Sequence, residues 1–295
     1  MDKSLLCMTI LWLLLVIYIK QYNINETFTV NNSLPNHIWM YWENKPGRTK
    51  PSYLDLCFKT IYKHNHLDFK IHLLDEVSVN TYLPNLRSDI QKLSIPQKAD
   101  YIRLSLLYKY GGIWLDSDTI MVKSLYPLLQ KLEKHDFVGF GCTGDKCQYT
   151  YSGYPNPSNW VLVARKKSKL IKACLDKANH ILDTNPEILR YKYHYLGRIL
   201  IWNQIRKLRN LDEKWDYLHI PSKCVERDTK GNKYVNSRLL SDEEHDPKCQ
   251  DKTFFVPIYN TAPGFPDWFS KASEEEILQK DILFSKLIKK SLGIK

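Results

Sequence analysis

The chain has 295 residues, of which 43% are hydrophobic and 25% are charged, and 43 Lys and Arg against 32 Asp and Glu give a formal charge of +11. This balance is that of a globular protein and excludes a disordered, collagenous or coiled-coil chain, because each of those needs a strongly biased composition. The positive charge would suit nucleic acid, an anionic membrane or phosphorylated small molecules. No basic cluster is interleaved with aromatic residues, so we expect a lysine-rich solvated surface and no nucleic-acid partner.

The first feature along the chain is an uncharged apolar run from Leu5 to Ile19, bounded by Lys3 and Lys20. As a helix it would span about 22 Å, less than the ~30 Å hydrocarbon core, and its length also suits a signal peptide. The residues after the run are polar or bulky, whereas a signal peptidase needs small ones. The pattern therefore predicts a tail at 1–4, an uncleaved transmembrane signal anchor at 5–19 and a polar stem at 20–33.

Two glycosylation sequons lie in the predicted stem, at Asn25–Thr27 and Asn31–Ser33. Six of the seven cysteines lie outside the apolar run and either pair in an oxidising compartment or remain thiols. These features favour a single-pass (type II) membrane protein that faces the lumen of the Golgi or the endoplasmic reticulum. The alternative is a protein at a cytoplasmic membrane face.

Strand and helix patterns alternate after the stem. We expect a strand at 37–42, a helix at 51–65, a strand at 69–74, a capped helix at 94–110 that ends at Gly111 and Gly112, and a strand at 113–115. This alternation predicts an α/β fold with a mostly parallel sheet between helices.

Further elements are predicted downstream. They comprise strands at 119–122, 136–140, 160–164 and 254–259, helices at 167–182 and 187–208, and a last helix opened by a capping box of Ser273 and Glu276. We assign 34–272 to one domain and 273–295 to a C-terminal amphipathic helix. That helix would either pack on its own domain, which we favour, or touch anionic lipid.

Two carboxylates follow the predicted strand at 113–115, in the sequence Tyr110-Gly-Gly-Ile-Trp-Leu-Asp-Ser-Asp118. Asp116 and Asp118 would lie where a sheet delivers side chains to a ligand crevice. Carboxylates so close together repel each other unless they share a cation, and oxygen ligands suit Mg²⁺ or Mn²⁺. An isolated Asp-x-Asp is a surface turn as often as a site. The capped helix and buried strand before this one favour a metal and diphosphate site.

The block KADYIRLSLLYKYGGIWLDSDTIM resembles the sugar-binding Asp-x-Asp region of glycosyltransferase family 32 and its capsular-polysaccharide-synthesis relatives. LPNHIWMYWENK is similar to the first strand of those proteins, and SNWVLVARKKSKLI to a later strand and helix. The resemblance covers most of residues 34–182. It implies a GT-A-like nucleotide-diphospho-sugar transferase domain that moves a sugar from a nucleotide sugar with retention of configuration.

The resemblance also implies roles for individual residues. Asp118 would bind Mn²⁺ or Mg²⁺, Asp116 would contact the ribose or the metal, and Asp100 with Arg103 would hold the transferred sugar. These four residues are the predicted catalytic set. Trp42 and Gly112 are assigned to the donor site with them, although a core tryptophan is nearly as good an interpretation of Trp42. His219 is a weak choice for a third metal ligand.

The sequence therefore predicts a membrane-anchored, metal-dependent glycosyltransferase that uses a UDP- or GDP-sugar. Its acceptor would be a glycan, glycolipid or polysaccharide, and the new linkage an α-linkage. The alternative is a non-catalytic membrane-tethered module with the same fold that binds glycan or nucleotide.

Overall fold

The computed structural model describes residues 34–45, 47, 49–142, 156–212, 218–221, 254–258 and 267–294. Leu34–Lys295 forms one compact unit. The predicted anchor at 5–19, the stem and both sequons lie outside the described residues. Within the described ranges, no helix is long and apolar enough to cross a membrane.

The predicted elements occur in the predicted order, with a few divisions and extensions. The strands are β1 His37–Tyr41, β2 Lys70–Leu74, β3 Gly112–Leu115, β4 Thr119–Met121, β5 Phe137–Cys142, β6 Asn156–Ala164, β7 Leu218–Pro221 and β8 Phe255–Pro257. The α-helices are α1 Ser52–Asn65, α2 Val79–Tyr82, α3 Ile95–Tyr110, α4 Tyr126–Leu129, α5 Lys169–Thr184, α6 Ile188–Tyr191, α7 Arg198–Leu211, α8 Asp267–Lys271, α9 Glu274–Gln279 and α10 Leu283–Leu292. Short 3₁₀ helices span Ser88–Lys92 and Gln130–Glu133. β7, α4, α8 and the two 3₁₀ helices were not predicted.

Six strands form the main sheet in the order β2-β1-β3-β6-β5-β7. β1 is parallel to β2 and β3, β5 is parallel to β7, and β6 is antiparallel to β3 and β5. β4 and β8 form a separate antiparallel pair. The predicted mixed, mostly parallel α/β sheet is therefore confirmed.

The sheet is buried on both faces, because alternate residues of each strand enter different cores. Trp39, Trp114 and Leu162 pack against α3, α5 and α7. Ile38 and Ile113 pack on the other face, with α1 and α4. Helices therefore cover both faces of the sheet.

The C-terminal helices pack on the outer side of α1, as we expected in preference to lipid contact. α10 buries Leu283, Phe284, Leu287 and Ile288 in a core that also contains Tyr53 and Leu56 of α1. The Ser273–Glu276 capping box is present and opens α9. The predicted single helix is divided in two by the residues between α9 and α10.

Two other helix predictions differ from the structure. Ser94 does not cap the backbone of α3, because its hydroxyl donates to the side chain of Gln97 at 2.8 Å. The helix predicted over 187–208 is divided into α6 and α7, and Gly197 lies directly before α7. The division places residues 192–197 beside the predicted site.

The cysteines on α1 and α5 do not pair. Cys57 and Cys174 are buried free thiols. The side chains of the other four candidates (142, 147, 224 and 249) lie outside the described residues.

Candidate functional site

The predicted site lies at the carboxyl end of β3, in the middle of the sheet. Asp116 follows β3 directly, and its backbone N–H donates to the carbonyl of Trp160 on β6 at 2.8 Å. β1 ends at the same edge, because it is parallel to β3. The carboxyl ends of β1 and β3 thus lie side by side, and open α/β sheets bind ligands outside the carboxyl ends of their strands.

A buried charge network brings Asp100 and Arg103 of α3 to Asp116. The Arg103 guanidinium lies 3.1 Å from Oδ1 of Asp100 and 3.5 Å from Oδ1 of Asp116. It also donates to the carbonyls of Ala99 and Asn159, and it stacks over the Trp114 ring at 4.8 Å. With these contacts and 5% of its side chain exposed, Arg103 holds the two carboxylates in place.

The two carboxylates of this network differ in how far they are exposed to solvent. The Asp100 side chain is 6% exposed, whereas that of Asp116 is 35% exposed. Desolvation, opposed by the nearby Arg103 charge and assisted by the Asp116 charge, raises the pKa of Asp100 to about 6. Desolvation also raises the pKa of Asp116, while Arg103 and the Trp114 indole oppose that change. Asp116 is therefore the carboxylate of the pair that a ligand reaches first.

Asp118 and Trp42 lie on the α1 side of this edge. The Asp118 charge adds to burial in raising the pKa of the Cys57 thiol on α1, so its carboxylate lies close to that helix. Trp42 is half-buried and lines a small depression together with Ser117, the residue between the two aspartates. Its indole N–H donates to the Asn44 side chain at 2.9 Å. Trp39, by contrast, is fully buried, as expected for a core residue.

The residues at this edge fit a hard divalent cation. Oδ1 of Asp116 accepts from the Trp114 indole at 2.9 Å, while Oδ2 accepts from none of the described residues. Asp118 adds a second carboxylate two residues later, and oxygen donors are those that Mg²⁺ and Mn²⁺ prefer. Among the described residues there is no group of three or more His, Cys, Asp or Glu side chains that could hold a metal. Two protein carboxylates would thus be supplemented by water or by phosphate oxygens.

Two predicted residues are not brought into this cluster. Gly112 begins β3, at the opposite end of the strand from Asp116, and has φ +102. A Cβ there would lie 2.5 Å from the carbonyl of His37, so close packing against β1 accounts for this glycine. The His219 backbone lies in β7 beside Gly139. Its side chain is not among those that the structure describes. Its metal role stays a prediction.

Several neighbours of the network had no role in the sequence analysis. The Asn159 amide donates to Oδ1 of Asp100 at 2.8 Å. Trp114 reaches Asp116 because residues two apart on a strand share a face. A Cβ on Gly197 would lie 2.6 Å from Oδ2 of Asp100 and closer still to the Asn159 amide. Asn159 lies in the segment SNWVLVARKKSKLI, which carries part of the family resemblance. For Gly197, a glycine inside a predicted helix was a usable signal.

Tyr193 lies at the entrance to the network. Its side chain is 47% exposed. Its pKa is raised by partial burial and by the charges of Asp100 and Asp116. The segment at 192–197 thus covers Asp100 and presents a tyrosine to the opening.

A second buried ion pair fixes the loop that carries Trp42. Lys98 of α3 is 5% exposed and donates to both carboxylate oxygens of Glu43, at 2.9 and 2.8 Å. The Tyr41 hydroxyl donates to the same carboxylate at 2.6 Å, and the pKa of Tyr41 is raised by burial and by Glu43. The end of β1 is thereby tied to the helix that carries Asp100.

Comparison with known proteins gives one family and one curated relative. The family model described as capsular polysaccharide synthesis protein matches residues 8–224. The O-glycosyltransferase PaGT of Phomopsis amygdali is 25% identical over 170 residues, which are 49% of this chain and 38% of that protein. The chain thus spans well under half the length of this relative.

Solved glycosyltransferases have similar folds at low identity. The galactosyltransferase LgtC, in complex with donor and acceptor sugar analogs, is 16% identical, with a TM-score of 0.42 over 85% of this chain and 95% of that one. The PaToxG glycosyltransferase is 16% identical, with a TM-score of 0.38 over 67% and 82%. GlyE of Streptococcus pneumoniae is 13% identical, with a TM-score of 0.35 over 64% and 45%.

Proposed function

The chain belongs to the capsular polysaccharide synthesis protein family, and from that premise we propose that it is a nucleotide-sugar-dependent glycosyltransferase. The observation that carries the proposal is the network of Asp100, Arg103 and Asp116 at the carboxyl end of β3, with Asp118 two residues beyond. The donor is a UDP- or GDP-sugar. The acceptor is a glycan, glycolipid or polysaccharide, and the resemblance to family 32 implies an α-linkage made with retention.

In this proposal Asp116 and Asp118 hold Mn²⁺ or Mg²⁺, which neutralises negative charge on the departing nucleoside diphosphate. Arg103 contacts protein groups rather than the donor, and its role is to keep the Asp116 carboxylate oriented. Trp42 offers a half-buried aromatic surface beside Ser117 for the nucleotide base. Tyr193 lies on the open side, where the sugar and acceptor enter. Preorganised groups of this kind lower the barrier because they do not have to reorient during the reaction.

Asp100 is assigned to bind the transferred sugar. Because it is buried, it must first be exposed before a sugar can contact it. Only 6% of its side chain is exposed, and Gly197 lies against its carboxylate. A sugar hydroxyl therefore reaches Asp100 when residues 192–197 withdraw. The Asn159 amide keeps Oδ1 engaged, which leaves Oδ2 to accept from the sugar.

The membrane assignment remains part of the proposal. We place the apolar run at 5–19 in a bilayer as a signal anchor and the stem at 20–33 outside it. The domain then faces the Golgi or endoplasmic reticulum lumen or, in the alternative, a cytoplasmic membrane face. Its support is the sequence alone: the uncharged run, the two sequons and the absence of small residues where a peptidase would cut.

The test is nucleotide-sugar hydrolysis by the full chain in detergent, across a panel of UDP- and GDP-sugars with Mn²⁺ or with chelator. We expect release of nucleoside diphosphate from one donor, and its loss with chelator. Asp118→Ala should lower the rate at least about 100-fold, the scale of removing one preorganised electrostatic group. Asp267→Ala is the matched control, because Asp267 is 94% exposed on α8.

Two results would count against the proposal. Full activity of folded Asp118→Ala would remove the metal assignment. Silence across the panel, together with calorimetric binding of UDP or GDP that requires Mn²⁺, would favour the non-catalytic binding module.

A further inference from the structure

The edge of the sheet opposite Asp116 is strongly basic. β1, β2, β3 and β5 begin there and β6 ends there, since Gly112 of β3 and Phe137 of β5 both pair with Ala164. We call this surface the basic edge and define it by its exposed lysines. They are Lys63, Lys70, Lys109, Lys134, Lys166 and Lys167.

These positive charges are not neutralised locally. None of the six lysines forms an ion pair with another described residue. The acidic groups nearby are the exposed Asp68 and Glu133, together with Asp136, whose carboxylate accepts from the Ser168 hydroxyl at 2.6 Å. Carboxylates are present at the opposite, carboxyl edge, where Glu43 and Asp116 have the basic partners Lys98 and Arg103. The six lysines of the basic edge have no partners of opposite charge among the described residues.

Exposed apolar side chains are concentrated at the same end. Of nine exposed large hydrophobic side chains among the described residues, four lie there: Tyr62, Leu67, Tyr126 and Ile294. Hydrogen bonds hold the elements that carry them together. The N–H of Leu125 donates to the Asn65 side chain at 2.8 Å, and His64 bonds Ser291 at 3.0 Å. Tyrosines and lysines mixed with aliphatic side chains are typical of surfaces at a membrane interface.

The chain also enters the domain at this edge. The N–H of Lys70 donates to the carbonyl of Asn36 at 2.8 Å, and Gly111 packs against Pro35. Residues 20–33 connect this point to the uncharged run at 5–19. Fourteen residues reach at most about 50 Å. Any bilayer that holds the run is therefore within reach of the basic edge.

From the charge, the exposed apolar residues and the point of chain entry, we propose that the basic edge lies on an anionic lipid surface. Anionic lipids are those of the cytoplasmic leaflet, so this docking goes with the alternative orientation, in which the domain lies at a cytoplasmic membrane face. The lysines pair with lipid headgroups, and Tyr62, Leu67 and Tyr126 enter the interface. Asp116 and Asp118 then face away from the membrane, at the opposite end of β3. This docking does not depend on the proposed sugar transfer, because none of its residues belongs to the site.

The experiment compares hydrogen exchange of the full chain in phosphatidylcholine vesicles and in vesicles of phosphatidylcholine with phosphatidylglycerol. We expect amides in 62–70 and 165–169 to exchange at least about fivefold more slowly with the anionic lipid, the factor for one lysine at such a surface. Lys134→Glu/Lys166→Glu should abolish the difference. Lys271→Glu/Lys280→Glu makes the same change in net charge on α8 and beside α9, and should leave it intact.

Three outcomes would overturn the proposal. Equal exchange in the two lipid compositions excludes docking. Loss of the difference in the control variant as well shows a response to net charge alone. Binding of a duplex oligonucleotide by the full chain in detergent, lost in Lys134→Glu/Lys166→Glu and without any lipid effect, would assign the edge to nucleic acid. Unchanged exchange of α3 in detergent verifies that each variant is folded.

Discussion

Asp100 illustrates how a single side chain can oppose folding and support function. Its pKa of about 6 in the folded chain lies above the ordinary 3.8, mainly because burial disfavours the charge. A carboxyl with a raised pKa adds stability below about pH 4, and that contribution is lost as the pH rises through about 6. Near neutral pH the protein therefore maintains a buried anion at a cost.

Asp100→Asn removes that charge while keeping the shape of the side chain. We expect the variant to be more stable than the parent at pH 7, by up to about 3 kcal/mol, and equal to it near pH 4. Donor hydrolysis should fall sharply. Urea unfolding at both pH values, without divalent metal, measures the difference. A variant less stable than the parent at pH 7 would show that the Arg103 attraction outweighs the burial.

Gly197 is needed for its small size. A Cβ at this position would lie 2.6 Å from the Asp100 carboxylate. Gly197→Ala should therefore displace Asp100 and the Asn159 amide, and we expect hydrolysis to fall about 100-fold, the scale of a 1 Å misplacement in a site.

The matched control for Gly197→Ala is Gly47→Ala, where no atom lies within 4 Å of the new Cβ. Its positive φ costs about 1 kcal/mol of stability but leaves the site untouched. Equal losses of activity in the two variants would contradict the steric explanation. The comparison needs only steady-state rates and thermal unfolding.

At the scale of elements, the buried pair of Glu43 and Lys98 connects the loop after β1 to α3. Removing one partner of a buried pair leaves the other charge buried and uncompensated. Lys98→Met or Glu43→Gln alone should therefore lower stability by about 3–5 kcal/mol. The double variant should recover a large part of the loss, because no isolated charge remains. Urea unfolding of the four proteins gives the coupling free energy, and losses that simply add would exclude an interacting pair.

The order of elements was predictable because each leaves a local signal. The helix before Gly111 and the strand before Asp116 were recognised from periodicity, proline and glycine. The division at Gly197 was missed, since its cause is the approach of Asp100, almost a hundred residues earlier. The bond from Asn159 to Asp100 spans 59 residues. Periodicity reports local geometry, whereas these contacts depend on how α3 crosses β6.

At the scale of the whole molecule, two titratable groups at opposite edges of the sheet change the stability of the fold in opposite directions as the pH falls. At the basic edge, Nδ1 of His37 lies 3.0 Å from Nε2 of His72, and Nδ1 of His72 lies 3.0 Å from the Tyr82 hydroxyl. Burial, together with the charges of His37 and Lys70, lowers the pKa of His72 to about 4. A histidine with a lowered pKa costs stability as the pH falls from about 6.5 to 4. Asp100, at the other edge, gains stability over nearly the same interval.

The two contributions should offset each other in the parent protein and separate in variants. His72→Gln keeps a donor and an acceptor for its neighbours but cannot take up a proton. Its stability should fall less than that of the parent between pH 7 and pH 4. Asp100→Asn, which lacks the opposing gain, should show a steeper fall than the parent. Urea midpoints in steps across that range measure all three slopes. Parallel slopes for the three proteins would mean that neither group governs the acid stability of the fold.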